Sequence, residues 1–247
     1  MSEHARRYGP DLVEGRIDDI RQAPSGFTAR SFDASWSPRS VLLATGVTNR
    51  RPELDDHTHS EALARGHLRY CPVCDGYEVS GLNVAVLGSD ARAVSEAEFL
   101  RSFTDRVTLI STVSHAVEAD LRRRLERIGA TIRLGPVKGM RLLAGGLEVI
   151  TAGRPEIYDA VYPALGSSIH SRLAKMLGAT ATEDGCIEVD RHQRTTIKHL
   201  YAAGDVVYGL DQISVCNGQA AIAAVAIRND LWAEKQSLWP HEARRPS

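Results

Sequence analysis

Between Asn83 and Leu134 the chain alternates short apolar runs with amphipathic stretches, and this alternation limits the available folds more than any other feature of the 247 residues. Asn83–Leu87 is a continuous apolar run broken by Gly88, and Ala91–Phe103 then places Ala93, Val94, Ala97 and Leu100 at helical spacing. Arg106–Ile110 repeats the strand pattern, Ala116–Ile128 the helical one, and Ala130–Leu134 supplies a third strand. Parallel neighbours need a crossover, so a β-α-β-α-β order predicts an α/β fold with a doubly wound parallel sheet.

The flanks carry different patterns. Leu12–Ile20 and Phe27–Ala34 alternate around Pro24-Ser25-Gly26, which predicts a β-hairpin. Ser40–Ala44 is a compact apolar run stopped by Thr45-Gly46, the pattern of a buried strand. The polar stretch from Asn49 to Gly66 reads as a linker, and His57, His59 and His67 in or beside it are expected to face solvent. Val137–Leu143 and Leu147–Thr151, joined by Gly145-Gly146, predict a second hairpin laid on the sheet edge. Ile157–Pro163 leads into Ala164-Leu165-Gly166, and a short helix near Leu173–Leu177 ends at Gly178. Beyond Cys186–Asp190, the run Leu200–Ala203 ends in Gly204-Asp205, and an Ala-rich helix is expected from about Gly218 to Ala233. Trp232 and Trp239 are expected to serve packing or a dimer surface.

Charge and cysteine content exclude several function classes. Thirty Lys and Arg against 31 Asp and Glu give a net charge of −1, which offers no field for gathering nucleic acid or an anionic membrane. The triplet Arg122-Arg123-Arg124 reads as a solvated helix face. No run of about 18 apolar residues exists, and the charged N-terminus lacks the apolar core of a signal peptide, so a cytoplasmic protein is expected. Four cysteines are too few for a secreted disulfide scaffold, and a close pair in a reducing compartment points to redox chemistry or metal.

That pair is Cys71-Pro72-Val73-Cys74, followed at once by Asp75-Gly76. Two thiols three positions apart can close a small disulfide where the chain turns into a helix, and amides at a helix start favour thiolate. Half of a zinc site is the rival reading, and a structural pair is the third. Zinc needs two more soft ligands, whereas Cys186 and Cys216 are single and distant, and His67 does not stand at a familiar ligand spacing. No metal is expected on balance. A second candidate is Asp205, whose carboxylate just past a strand end can accept hydrogen bonds from ribityl or ribose hydroxyls. Gln212 and the Gly218-Gln219 helix start follow it. Cys216 reads as a buried, inert cysteine.

Together these pieces resemble the low-molecular-weight thioredoxin reductases among the flavin disulfide oxidoreductases. The resemblance rests on Ala44-Thr45-Gly46, Cys71-Pro72-Val73-Cys74-Asp75-Gly76, the βαβ unit from Asn83, and Ala202-Ala203-Gly204-Asp205 with Gln212. It implies that Cys74 faces the flavin, that Cys71 attacks the substrate disulfide, and that Asp75 exchanges a proton with the departing thiol. It also implies that Asp205 and Gln212 hold FAD beside Gly204, and that Gly46 lets the backbone pass close to the cofactor.

The implied architecture is two interleaved Rossmann-like units. Residues 1–53 and 182–247 would form an incomplete FAD-type unit, and residues 54–181 a nicotinamide-type unit carrying the cysteine pair. A homodimer and a thioredoxin-like or small-molecule disulfide or dithiol partner are implied as well. The sequence departs from the family in two places. Among its 20 glycines no two are separated by one residue, so the Gly-x-Gly turn that cradles the FAD pyrophosphate is missing, and the expectation is a fragment. In the nicotinamide-type unit, Asp90 replaces the second glycine, and Ser111-Thr112-Val113 stand where NADPH-using relatives carry a His-Arg-Arg cluster. NADPH use is therefore doubtful, and Cys71 to Glu78 is similar to the run found in flavin dithiol oxidases that pass electrons to oxygen. The expected function is flavin-dependent disulfide oxidoreduction. Dithiol oxidation is the same-site alternative, and a flavin-free binding or dimerisation module is the alternative of another class.

Overall fold

The computed structural model describes residues 2–113, 117–152 and 154–235. The chain forms two compact units, one made of Met1–Thr48 with Ile169–Ser247 and the other of Asn49–Ser168. Residues 49–53 and 169–181 thus cluster with the opposite unit to the one expected from sequence.

In the Asn49–Ser168 unit, four parallel strands run in the order Thr131–Arg133, Val107–Ile110, Val84–Leu87, Ala160–Pro163. Val84–Leu87, Val107–Ile110 and Ala160–Pro163 are buried along their whole length, as their continuous apolar runs require of a sheet covered on both faces. On one face Ala93, Val94, Ala97 and Leu100 of helix Ala91–Leu100 join Val86, Leu109, Tyr162 and Leu125 of helix Ala119–Arg127 in one core. The expected start of the latter helix, Ala116, lies outside the described residues.

Ala85, Leu87, Ile110 and Val161 point into a second core on the other face. There Leu147, Val149 and Tyr158 come from an antiparallel sheet of Gly139–Leu143, Gly146–Ile150 and Pro155–Tyr158. The second hairpin therefore pairs into a sheet of its own with a third strand, rather than extending the parallel edge. Its strands bury one face, and that face covers the parallel sheet.

The expected linker is partly a helix, Asp56–Ala64, capped by the Asp55 side chain, which accepts from the Thr58 amide at 3.0 Å. His59 is a correction to its expected exposure. It is 3% exposed and its Nε2 lies 3.0 Å from the Tyr70 hydroxyl. Polar composition concealed this because Ala62, four residues before Gly66, is the only fully buried apolar position of the helix. His57 is exposed, and His67 is half-buried with Nδ1 2.7 Å from the Asp159 carbonyl.

The other unit has a hairpin of Asp19–Ala23 and Gly26–Arg30, closed on the opposite side by Ser35–Trp36. Leu12 and Val13 stay outside the strand and are exposed. Val41–Leu43 pairs in parallel with Leu200–Ala202, and Ile20, Phe27, Leu43, Ile187, Leu200 and Val206 share one core. Helix Ile213–Lys235 starts five residues before its expected start at Gly218. It is tied back by Asp230, whose carboxylate takes both the Arg194 guanidinium at 2.7 Å and the Tyr201 hydroxyl at 2.5 Å. Trp232 is partly exposed under the Arg228 guanidinium, and Trp239 lies outside the described residues. Of the arginine triplet, Arg124 pairs with Glu98 at 2.6 Å, so that part of the face is not simply solvated.

Two outcomes follow from this packing. Leu109→Ala, at a fully buried sheet position, should cost about 2–5 kcal/mol, read as a lower urea midpoint. Glu96 lies on the helix Ala91–Leu100, where burial, aided by Asp90 and opposed by Arg92, raises its pKa from 4.5 to about 7. A carboxyl raised in the folded state stabilises fully below pH 4.5, and that contribution is lost as pH rises to about 7. Glu96→Gln should therefore raise the thermal midpoint at pH 8 and leave it nearly unchanged at pH 4.

Candidate functional site

Residues for the expected chemistry gather in two groups, one within each unit. In the Asn49–Ser168 unit, Leu68 bridges to Val161 and the Arg69 amide donates to the Val161 carbonyl at 3.0 Å, so the chain enters the cysteine turn as an addition to the buried sheet. Pro72 opens the single helical turn Pro72–Asp75, where its missing N–H costs nothing. The amides of Cys74 and Asp75 both donate to the Cys71 carbonyl, at 2.9 and 3.2 Å. This turn brings the two cysteines to a Cα–Cα distance of 5.2 Å, and they form a disulfide. Cys71 is half-buried and Cys74 exposed, so the bridge sits at the surface.

Asp75 completes the same turn. Its Oδ1 accepts from the Tyr162 hydroxyl at 2.7 Å, and its Oδ2 lies 3.1 Å from Nη1 of Arg69. Tyr162 is fully buried on strand Ala160–Pro163, and burial together with the Asp75 carboxylate holds its hydroxyl proton on. Just before the pair in sequence, the half-buried Tyr70 meets His59, whose burial and proximity to Arg51 lower the imidazole pKa. Arg69, Tyr70 and Tyr162 carry no mark of their own in the sequence, and His59 was expected to face solvent. Arg69 and Tyr70 adjoin the Cys-x-x-Cys motif, but their partners become neighbours only through the fold.

The nicotinamide-type features lie at the carboxyl ends of the parallel strands. Asp90 is the N-cap of helix Ala91–Leu100, and its Oδ1 accepts from the Ala93 amide at 3.0 Å. The helix start thus carries its own carboxylate on a donor that an incoming pyrophosphate would use. Past the next strand, Ser89 Oγ lies 3.1 Å from Ser111 Oγ and 2.9 Å from Thr112 Oγ1, a small hydroxyl cluster.

The second group lies in the other unit. Leu43 pairs with Ala202 in parallel, so Ala44-Thr45-Gly46 and Ala203-Gly204-Asp205 leave the sheet at the same end, where open α/β sheets bind ligands. Gly46 has φ +63 with open space where a Cβ would stand, as close passage of a cofactor requires. His170, unmarked in the sequence, pins this turn. Its amide donates to Gly46 O at 3.0 Å, and its carbonyl accepts from Thr45 Oγ1 at 2.7 Å. The Gly204 amide donates to Gln219 Oε1 at 2.7 Å, while Asp205 is half-buried and accepts from Cys216 Sγ at 3.1 Å. Cys216 is thus half-buried and hydrogen-bonded rather than enclosed, and burial with the Asp205 charge raises its thiol pKa. Gln212 precedes helix Ile213–Lys235 and accepts from the Cys216 amide.

A cleft of about 950 Å³ runs along Val41–Thr45, bordered by Ile20, Trp36, Ile169 and His170. Its largely apolar lining suits an aromatic ring, and Gly46, Gly204 and Asp205 lie outside that lining. For the pyrophosphate of FAD the sequence holds no Gly-x-Gly turn. Among the described residues, no three His, Cys, Asp or Glu side chains gather as a metal site, and no helix is long and apolar enough to cross a membrane.

Known proteins match this arrangement. Residues 29–224 match the pyridine nucleotide-disulphide oxidoreductase family. Thioredoxin reductase from Bacillus subtilis is 25% identical over 96% of this chain and 78% of its own length. The one from Aquifex aeolicus is 28% identical over 96% and 76%. Among solved structures, that of HlmI superposes with a TM-score of 0.83 at 27% identity, covering 95% of this chain and 75% of that one. Thioredoxin reductase from Streptococcus pyogenes shares the fold with a TM-score of 0.82 at 23% identity over 94% and 78%. The chain belongs to the pyridine nucleotide-disulphide oxidoreductase family, the flavin-dependent disulfide oxidoreductases.

Proposed function

We propose that the chain exchanges electrons between FAD and a substrate disulfide or dithiol through Cys71 and Cys74, in the manner of the thioredoxin reductases. The observation that carries this reading is the Cys71–Cys74 bridge in a surface turn that ends on the core-anchored carboxyl of Asp75. In this assignment Met1–Thr48 with Ile169–Ser247 is the FAD-type unit, and Asn49–Ser168 is the nicotinamide-type unit. Gly46, Gly204, Asp205 and Gln212 border the flavin, with Asp205 accepting from its hydroxyls.

In the reducing direction the Cys71 thiolate attacks one sulfur of the substrate disulfide. The substrate S–S bond breaks, and its departing sulfur takes a proton, which Asp75 relays. Cys74 then attacks Cys71 Sγ, releasing the second substrate thiol and closing the Cys71–Cys74 bridge. The oxidising direction runs the same bonds in reverse, so a substrate dithiol becomes a disulfide while the enzyme pair takes up two electrons. A bound flavin supplies the two-electron couple that resets the pair.

Dithiol oxidation, with oxygen as final acceptor, is the second reading, and the Asp90 cap favours it. A carboxylate at the helix start and the hydroxyls of Ser89, Ser111 and Thr112 where the family carries a basic cluster argue against NADPH as the donor. We assign the partner to thioredoxin-like proteins or small molecules with paired sulfurs, and place the chain in the cytoplasm as a homodimer. A flavin-free binding module is the remaining reading, and the same spectra separate all three.

The purified chain, supplied with FAD, should show a flavin band near 450 nm that a dithiol bleaches under nitrogen and NADPH does not. Bleaching by NADPH would restore the reductase reading with that donor, and absence of retained flavin would favour the binding module. Cys74→Ser should abolish dithiol bleaching while leaving the bound flavin spectrum in place. Undiminished bleaching in this variant would sink the proposed mechanism.

A further inference from the structure

Arg69 is bound on three sides within the Asn49–Ser168 unit. Its Nε donates to Gly66 O at 2.9 Å, and its Nη1 lies 2.7 Å from Glu78 Oε2 and 3.1 Å from Asp75 Oδ2. Gly66 has φ +71, and a Cβ there would stand 2.9 Å from Arg69 Nη2. The turn before the cysteines is therefore shaped around the guanidinium. Asp75 is in turn held from the opposite side by Tyr162. Burial works against the Arg69 charge, yet Glu78 and Asp75 outweigh it and bind the proton more tightly.

Asp75 directly follows Cys74 in a turn whose amides share the Cys71 carbonyl, so its carboxylate belongs to the same short turn as the sulfurs. A carboxylate there disfavours a second negative charge on sulfur, and a paired guanidinium cancels most of that repulsion. We propose that Arg69 is a positioning residue that fixes and neutralises Asp75, so that the reduced pair can form a thiolate near neutral pH. The proposal rests on the redox reading of Cys71 and Cys74.

Among the described residues, the following charged groups face Arg69, Asp75 and the elements packed against them. Glu78 shares Arg69 but is largely exposed, so solvent screens it. Tyr162 is the titratable group presented by strand Ala160–Pro163. Where Gly76 meets the end of helix Ala91–Leu100, the nearest groups are the Phe99 and Phe103 rings. That helix's charged residues interact elsewhere, Glu98 with Arg124 and Arg92 with Glu96. From helix Asp56–Ala64, His59 reaches Tyr70, and Arg51 pairs with Asp56.

The test is the pH dependence of iodoacetamide alkylation of the reduced protein, with the Cys71–Cys74 peptide resolved from Cys186 and Cys216 by mass spectrometry. Arg69→Met should raise the alkylation midpoint by about one pH unit, slowing the reaction about tenfold below the midpoint. Arg69→Lys should give a smaller rise. In an Asp75→Asn background, Arg69→Met should add almost no further shift, because the charge it answers is gone. An unchanged midpoint in Arg69→Met, or an equal rise with and without Asp75, would overturn the proposal. Should Arg69→Met not fold, as judged by circular dichroism, Arg69→Gln keeps a donor for Gly66 and gives the same comparison. The readout needs neither flavin nor substrate. A wild-type pair that does not cycle between dithiol and disulfide defeats the redox reading, whereas a pair that cycles and ignores Arg69 defeats this inference alone.

Discussion

The hydrogen bond from Tyr162 to Asp75 joins the interior of the Asn49–Ser168 unit to its chemistry. Tyr162 stands on a strand buried on both faces, so its side chain has little freedom of its own. Its hydroxyl fixes one oxygen of Asp75, Arg69 fixes the other, and the short cysteine turn between them inherits that order. Most small helical turns gain little from their own backbone bonds, because nucleating a helix costs nearly as much as its first turns return. Here the sheet edge at Leu68–Arg69 and the phenol of Tyr162 hold both ends, and Pro72 restricts the start.

Much of this was legible in the sequence because the governing signals are local. The runs at Val84–Leu87 and Val107–Ile110 are uninterrupted apolar strands, and a sheet of parallel strands needs that on both faces. The Cys-x-x-Cys motif likewise carries its own geometry, since three-residue spacing across a helical start brings the sulfurs within bonding reach. Signals that depend on distant partners were not legible. His59 looked like a solvated residue of a polar connector, and only Tyr70 explains its burial. The helix Ile213–Lys235 begins before its Ala-rich stretch, because Ile213, Ser214 and Val215 carry no helical signature of their own. Arg69 reads as one more surface charge until Gly66, Asp75 and Glu78 converge on it.

The two nucleotide-type regions differ in how they treat a negatively charged guest. Beside Val41–Leu43 and Leu200–Ala202, the Gly46 turn has free space, and the carboxylate of Asp205 accepts from the Cys216 thiol. At helix Ala91–Leu100 the corresponding position is filled from within by Asp90. The strand order itself is specified by apolar runs in the sheet, independently of what the strand ends carry.

The self-capped start of helix Ala91–Leu100 has a consequence for what the stability of the scaffold depends on. A helix that relies on a bound phosphate for its first amides ties its stability to ligand supply. One that brings its own carboxylate carries no such dependence, and the scaffold around the cysteine pair persists whatever the nucleotide level in its surroundings. The helix start at the strand ends and the cysteine turn thus rest on separate supports, Asp90 for the one and Tyr162 for the other.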